Sequence, residues 1–478
     1  MLLKRILACT LALSFVLPLV ACGNDDSSVE SQSDKVTVSL PPVDDTSDGD
    51  GEGTSNPLMV LGDDVQKEIV WMSDSDLNPA ADGERSVALT LFEDYCGGKI
   101  IYSQTSWDKK FDDLAAAVLG DSAPDLFPYH WIAFPSQITQ NMYQPVDSIV
   151  NFDDPIWAGV KNTAEQYVFD GKHYVAPISF NASATMLYNK DYIDEIGADD
   201  PYELYMNGEW NWNTWRGIME EWVASGTEED PRYGFNGYFA THLIQQTGKT
   251  MVAYENGKFV NNLNDPDIER AETFLYNLAK DGLYLEGWIG GGRDAFKKNL
   301  IFYSMGDWAY TGTNSGPKEE DNWGLVPIPA DPNSDGKYTT GDMTAFMWVS
   351  GSTASEAVQA WFNCNRVAQT DEQYRATDRE KFFSQNPYWT EEMYQVKLDV
   401  VSEEYQLLFD YGYGVSMTLG DDNSASDGQC VINKLYNNVL KTDAETSTQY
   451  TWSQVRDEFS PVVDSELAYL NDALANLS

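Results

Sequence analysis

A two-lobed α/β fold is predicted by three features of the sequence. Strand-like and helix-like runs alternate as βαβαβ over residues 68–128. Two β-rich runs then flank Ser179-Phe-Asn-Ala-Ser183, a pattern that fits a chain leaving one sheet for another. A comparable passage at Trp323-Gly-Leu-Val-Pro-Ile-Pro329 fits the return.

The first strand is Glu68-Ile-Val-Trp-Met-Ser73. Residues 84–96 carry apolar Val87, Leu91, Phe92 and Tyr95 at a helical period, and Gly97-Gly98 ends that run. Residues 99–103 form a second strand. Residues 109–119 form a second helix, with Phe111, Leu114, Ala115 and Val118 on one face. Pro124-Asp-Leu-Phe-Pro128 opens a third strand. Such alternation implies a parallel sheet with right-handed crossovers. Ligands of such sheets bind beyond the carboxyl ends of the strands. Here those ends are residues 73–78, 104–108 and 129–134.

Helices are expected afterwards at 214–224, 268–280 and 293–299. A strand at 301–305 ends in Gly306-Asp307-Trp308. Further helices are expected at 354–363 and 390–398, and a last one at 453–477, broken or kinked at Pro461. There is no internal repeat.

The ends of the chain have their own chemistry. Lys4 and Arg5 precede an apolar stretch over residues 6–20, and Leu19-Val20-Ala21-Cys22 fits a bacterial lipobox. Residues 1–21 are therefore expected to be a lipoprotein signal peptide, with lipid on Cys22 and a location at the membrane, outside the cytoplasm. Losing Lys4 and Arg5 takes the formal charge from −46 to −48. Residues 22–66 are expected to form a disordered acidic tether, kept extended by Asp44, Asp45, Asp48, Asp50 and Glu52. Lobe 1 is assigned to 67–180 and, on the return, 323–385. Lobe 2 is assigned to 181–322 and the C-terminal helices at 386–478.

With 76 acidic and 30 basic residues, the chain lacks the clustered cations that phosphate backbones require, which excludes nucleic acid as a partner. Of five cysteines, Cys9 leaves with the signal and Cys22 is lipidated. At most one pair remains among Cys96, Cys364 and Cys430. Cys364 with Cys430 is one possibility that spacing alone does not settle. No CxxC suggests thiol redox or zinc chemistry.

Catalytic signatures are poor. Histidine occurs only at 130, 173 and 242, and neither HExxH nor GxSxG is present. Gln246-Thr-Gly-Lys-Thr250 imitates the end of a phosphate loop, but Leu243 stands where glycine is required. Asp331, Asn333, Asp335, Gly336 and Asp342 have calcium-loop spacing. No helix precedes them and Asp stands where a bidentate Glu is usual, so a turn is the favoured reading.

Several motifs together resemble the extracellular solute-binding proteins of ABC importers, in the group that includes maltose-binding protein. They are Ala123-Pro-Asp-Leu-Phe127, Gln144-Pro-Val-Asp147, Gly171-Lys-His-Tyr-Val-Ala-Pro177, Leu187-Tyr-Asn-Lys190, Gly208-Glu-Trp-Asn-Trp212, Ser304-Met-Gly-Asp-Trp308 and Trp323-Gly-Leu-Val-Pro-Ile-Pro329. The resemblance covers residues 67–478. It implies a periplasmic-binding-protein-like fold of type II, hinged between its lobes. It also implies a monomer that captures a carbohydrate for an ABC permease in the membrane, with no cofactor, no bound metal and no catalysis. The alternatives are a surface-anchored glycoside hydrolase, which needs two carboxylates about 5–10 Å apart, and a glycan-binding adhesin.

Sugar rings stack their C–H faces on aromatic side chains and place hydroxyls against polar partners at the edge. On position, the ligand-binding candidates are Trp107, His130 and Trp131 from lobe 1, Trp308 with Asp307 from lobe 2, and Asp74 and Asn181 at the cleft. Trp210, Trp212 and Trp215 lie at a helix start, where Asn211 or Asn213 can cap, and are read as structural.

Overall fold

The computed structural model describes residues 56–80, 83–120, 122–420, 430–443 and 447–476. The expected signal peptide, Cys22 and most of the expected tether lie outside the described residues.

The strands in chain order are β1 (Glu68–Ser73), β2 (Lys99–Gln104), β3 (Leu126–Pro128), β4 (Val168–Phe169), β5 (Lys172–His173), β6 (Ala176–Ala182), β7 (Thr185–Asn189), β8 (Tyr233–Gly237), β9 (Val252–Glu255), β10 (Lys258–Asn261), β11 (Leu300–Met305), β12 (Trp323–Val326), β13 (Tyr338–Trp348) and β14 (Gln406–Leu408). The first sheet runs β14-β13-β3-β1-β2, with β6 also paired to β13. Its β1 is parallel to both β2 and β3, as the βαβαβ reading requires. The second sheet runs β12-β7-β11-β8, with β8 and β11 parallel and the other pairs antiparallel. β4 with β5, and β9 with β10, form separate hairpins.

The early elements form where the apolar spacing places them, with one change of geometry. Ser86 caps the first helix by accepting from the Leu89 amide, but after Thr90 the turn widens into a π-helix over Leu91–Tyr95. The second helix occupies Lys110–Leu119.

The first crossing is narrow. β6 stays in the first sheet to Ala182, its Asn181 opposite Asp342 of β13, and only Ser183 and Ala184 separate it from β7 in the second sheet. The second crossing falls later than the sequence suggested. Trp323–Val326 does not return to lobe 1, because its backbone pairs with Met186–Asn189 of β7. The return runs through the segment after Val326, where Pro327 and Pro329 cannot donate ladder hydrogen bonds, and is complete at β13.

The C-terminal portion also departs from the simple division. Trp389, Met393, Val396 and Val400 pack in the second-lobe core with Leu300, Tyr303 and Leu325. β14, however, pairs with β13 of the first sheet. The last helix, Trp452–Ala475, runs through Pro461 as one element and packs on β10, on the Pro266–Lys280 helix and on Ser136–Thr139 of lobe 1. A further link is the Glu372–Gln385 helix. Its Tyr374 is buried in the lobe 1 core, whereas Phe382 and Phe383 pack against the lobe 2 core.

Two sequence readings are resolved by burial. Trp210, Trp212 and Trp215 are core, and Asn211 forms a capping box with Thr214 at the head of their helix. The calcium-loop spacing forms no ligand cluster. Asp331 is buried, its two oxygens accept from Arg270 at 2.7 and 2.6 Å, and Asp342 lies in β13. Among the described residues Cys96, Cys364 and Cys430 are all buried, and none is in a disulfide. Cys364 lies against Cys96, with sulfurs 3.5 Å apart, and Cys430 belongs to a different core cluster.

Candidate functional site

The carboxyl ends of the parallel strands carry exposed aromatic rings on both lobes. On lobe 1, Trp107 follows β2 and is 42% exposed, and Trp131 follows β3 and is 38% exposed. Their centroids lie 6.1 Å apart. His130 is buried and stacks beneath Trp131 at 3.9 Å, with its edge towards Trp107 at 5.0 Å.

The underside of this group is polar but closed. Lys110 Nζ sits 3.2 Å from the Trp107 ring centroid, a cation–π contact that occupies one face of that ring. His130 Nδ1 accepts from the Ile132 amide at 3.2 Å. Burial, with the Lys110 charge as a lesser cause, pushes the His130 imidazole down to about 3. The ring is therefore neutral at physiological pH, with its proton on Nε2. His130 thus lies beneath the two tryptophans as a buried, neutral ring.

On lobe 2, β8 and β11 run parallel and end together. Gly237 makes the junction possible. Its φ is +112°, and a Cβ there would sit 1.9 Å from the Ser304 carbonyl oxygen. Ser304 Oγ donates to the Tyr238 carbonyl, and the Tyr238 amide donates to the Ser304 carbonyl. Trp308 follows β11 in a 3₁₀ turn and is 60% exposed. It stacks on Trp288, 63% exposed, at 6.3 Å and an interplanar angle of 17°. Tyr238, 57% exposed, continues the row 6.4 Å from Trp288.

Sequence reasoning missed Trp288 and Tyr238. Trp288 rides on Gly287-Trp-Ile-Gly-Gly291, where Gly287 and Gly290 take φ near +100°. Asn236 Nδ2 fastens the loop by donating to the Leu285 and Gly287 carbonyls, and Tyr303 Oη donates to the Gly290 carbonyl. The signal was present as a tryptophan among glycines, but only the β8–β11 pairing brings it beside Trp308.

The polar candidates separate. Asp307, the edge acceptor expected beside Trp308, pairs with Lys397 of the Glu391–Asp399 helix and accepts from Tyr310 Oη at 3.3 Å. Its oxygens are engaged within lobe 2 by a partner 90 residues away, which no local pattern encodes. Asp74 is exposed just past β1, where it accepts from Ser73 Oγ at 3.2 Å. Asn181 is exposed at the end of β6, beside the crossing. Its register partner Asp342 is likewise exposed on β13. Partial desolvation by the surrounding chain, with the nearby Asp307 charge as a lesser cause, raises the Asp342 carboxyl above its ordinary value. Among the described residues, no group of three or more His, Cys, Asp or Glu side chains is placed to hold a metal ion.

The family model for bacterial extracellular solute-binding proteins matches residues 88–377. The chain belongs to this family. This solute-binding protein is also similar to the diacetylchitobiose-binding protein DasA of Streptomyces coelicolor, at 26% identity over 186 residues. That match spans 38% of this chain and 41% of the relative. The galacto-N-biose/lacto-N-biose I-binding protein of a Bifidobacterium longum ABC transporter, solved with lacto-N-biose, has a similar fold. The TM-score is 0.57 at 13% identity, over 86% of this chain and 99% of that one. The sugar-binding protein MalE of Xanthomonas citri gives a TM-score of 0.56 at 14% identity, over 86% and 98%. These likenesses establish the two-lobed periplasmic-binding-protein-like fold. The family is extracellular, and no helix among the described residues is long and apolar enough to cross a membrane.

Proposed function

We propose that this protein captures a carbohydrate, a mono- or oligosaccharide, between its lobes and delivers it to the membrane permease of an ABC importer. It works as a monomer, held at the outer face of the membrane by lipid on Cys22. It makes no covalent bond to its solute and turns nothing over.

The observation that carries this reading is the pair of aromatic surfaces at the strand ends. Trp107 and Trp131 stand on lobe 1, and Trp308, Trp288 and Tyr238 stand on lobe 2. Exposed tryptophans at these positions cost solvation unless a ligand covers them, and pyranose faces are suited to do so. Asp74 and Asn181 supply polar edges for hydroxyl groups. The two-residue crossing at Ser183-Ala184 serves as a hinge, and the segment between β12 and β13 serves as its second strand.

Calorimetric titration with diacetylchitobiose, lacto-N-biose and common mono- and disaccharides tests the proposal. Saturable binding of at least one sugar with an unchanged ligand at the end is the expected result. Release of reducing ends at high protein concentration would favour the hydrolase. A fully inert panel would count against carbohydrate as the solute.

A further inference from the structure

Lobe 1 holds two thiols in contact that the solute-binding reading does not use. Cys96 closes the π turn at Leu91–Tyr95, and Cys364 lies within the Ser355–Thr370 helix. Both are fully buried in one core cluster, among Phe92, Trp361 and Phe362. Their sulfurs are 3.5 Å apart although 268 residues separate them in the chain. A disulfide needs sulfurs about 2.05 Å apart, so closing the gap takes a shift of about 1.5 Å. Cys430 is elsewhere, in the other large core, where its sulfur accepts from the Asn433 amide at the head of the Val431–Asn437 helix.

The surroundings give the pair a mechanical position. The chain enters the described fold at Asn56, and this entry segment is gripped by the two elements that carry the thiols. Asn56 Nδ2 donates to Tyr95 Oη at 2.8 Å, and the Leu61 amide donates to the Cys96 carbonyl at 2.9 Å. Asn363 Nδ2 donates to the Pro57 carbonyl at 2.9 Å. Leu58 and Leu61 are buried in the same cluster as the thiols. A bond between Cys96 and Cys364 would join the two jaws that hold the N-terminal entry. It would also fix the Ser355–Thr370 helix, from which the interlobe Glu372–Gln385 helix continues.

We propose that Cys96 and Cys364 are joined by a disulfide in the exported protein, stapling lobe 1 where the N-terminal segment from Asn56 enters it. The inference uses only the extracellular character of the family, because disulfides form and persist outside the cytoplasm. The oxidant is an external disulfide, either an oxidoreductase or a small disulfide such as glutathione disulfide. The Cys96 thiolate attacks one sulfur of the oxidant, forming a mixed disulfide and expelling one thiolate. The Cys364 thiolate then attacks Cys96 Sγ and expels the second. The S–S bond of the oxidant breaks and the Cys96–Cys364 S–S bond forms. The two protons given up by Cys96 and Cys364 pass to the two expelled thiolates, so the oxidant leaves as two thiols. Because both sulfurs are buried in the finished fold, the exchange belongs to folding, before lobe 1 closes over them.

The test is non-reducing peptide mapping of the full chain. One sample is recovered from the outer face of cells and denatured in iodoacetamide. A second is refolded with glutathione and glutathione disulfide, so that this arm does not depend on export. The expected result in both is a cross-linked peptide pair joining Cys96 to Cys364, with Cys430 alkylated. Dithiothreitol should lower the melting temperature of this protein and leave that of the Cys96→Ala/Cys364→Ala variant unchanged. Alkylation of both Cys96 and Cys364 in the two samples overturns the proposal, as does a cross-link from either to Cys430. Sugar titration of oxidised and reduced protein should give equal Kd values, so failure of the staple and failure of the carbohydrate reading are separately visible.

Discussion

Replacing Trp308 with alanine tests the placement of the cleft. The side chain is 60% exposed, and the ring it stacks on, Trp288, is itself mostly in solvent. Its loss therefore opens no core cavity, and folding stability should change by less than about 1 kcal/mol. Binding should change much more. A buried tryptophan contributes up to about 250 Å². With 60% of that open and one face covered by a sugar ring, roughly 75 Å² leaves water on binding. At ~25 cal/mol per Å² this is ~1.9 kcal/mol, or about a 25-fold rise in Kd. Calorimetry with the tightest sugar of the panel reads it directly. Trp215→Ala is the contrasting control, because Trp215 is fully buried and its loss should cost about 3–5 kcal/mol of stability. The reasoning is refuted if Trp308→Ala folds normally and keeps the native Kd, or if it unfolds the protein. The Trp131→Ala/Trp308→Ala double variant should be less than additive if closure needs both faces.

The remaining predictions concern the interior and the anchor. Glu272 is completely buried on the apolar face of the Pro266–Lys280 helix, with no hydrogen-bond partner for either oxygen among the described residues, and burial holds its carboxyl well above the ordinary value. A raised folded-state value means that stability is lost as pH rises above the unfolded carboxylate value of about 4.3. Glu272→Met should therefore gain about 1–3 kcal/mol at pH 7 and less at pH 4.5. Urea unfolding at the two pH values measures this, and destabilisation at pH 7 would contradict it. Cys22→Ser should release the protein from membranes into the medium, and unchanged retention in a fractionation experiment would remove the lipid anchor from the account.

Much of the fold was legible because local rules governed it. The βαβαβ opening follows from apolar period and glycine stops, and β1 pairs with β2 and β3 as that alternation requires. What was not legible depended on distant partners. Trp323–Val326 reads as a returning strand, yet its place is fixed by β7. The Cys96–Cys364 contact is decided by helix packing across 268 residues. The pairing of Asp307 with Lys397, 90 residues further on, is likewise written in no local pattern. Trp107, Trp131 and Trp308 were picked out by their position at strand ends and are exposed there. Trp288 was overlooked because its loop has no periodicity to read.

The two aromatic surfaces are built differently, and that difference bears on how a ligand is taken up. On lobe 1, Lys110 fills one face of Trp107 and neutral His130 lies under Trp131, so both rings are braced by buried groups. Ordering them on binding costs little side-chain entropy, because the freedom is already lost. On lobe 2, Trp288 and Trp308 brace mainly each other, and Trp288 stands on a glycine-rich loop fastened at its two ends. Under the proposed function, this difference predicts an order of capture: the solute docks first on the braced lobe 1 surface and lobe 2 then closes over it. On that proposal, replacing lobe 1 tryptophans should lower the affinity for every sugar, and replacing lobe 2 tryptophans should change which sugars bind.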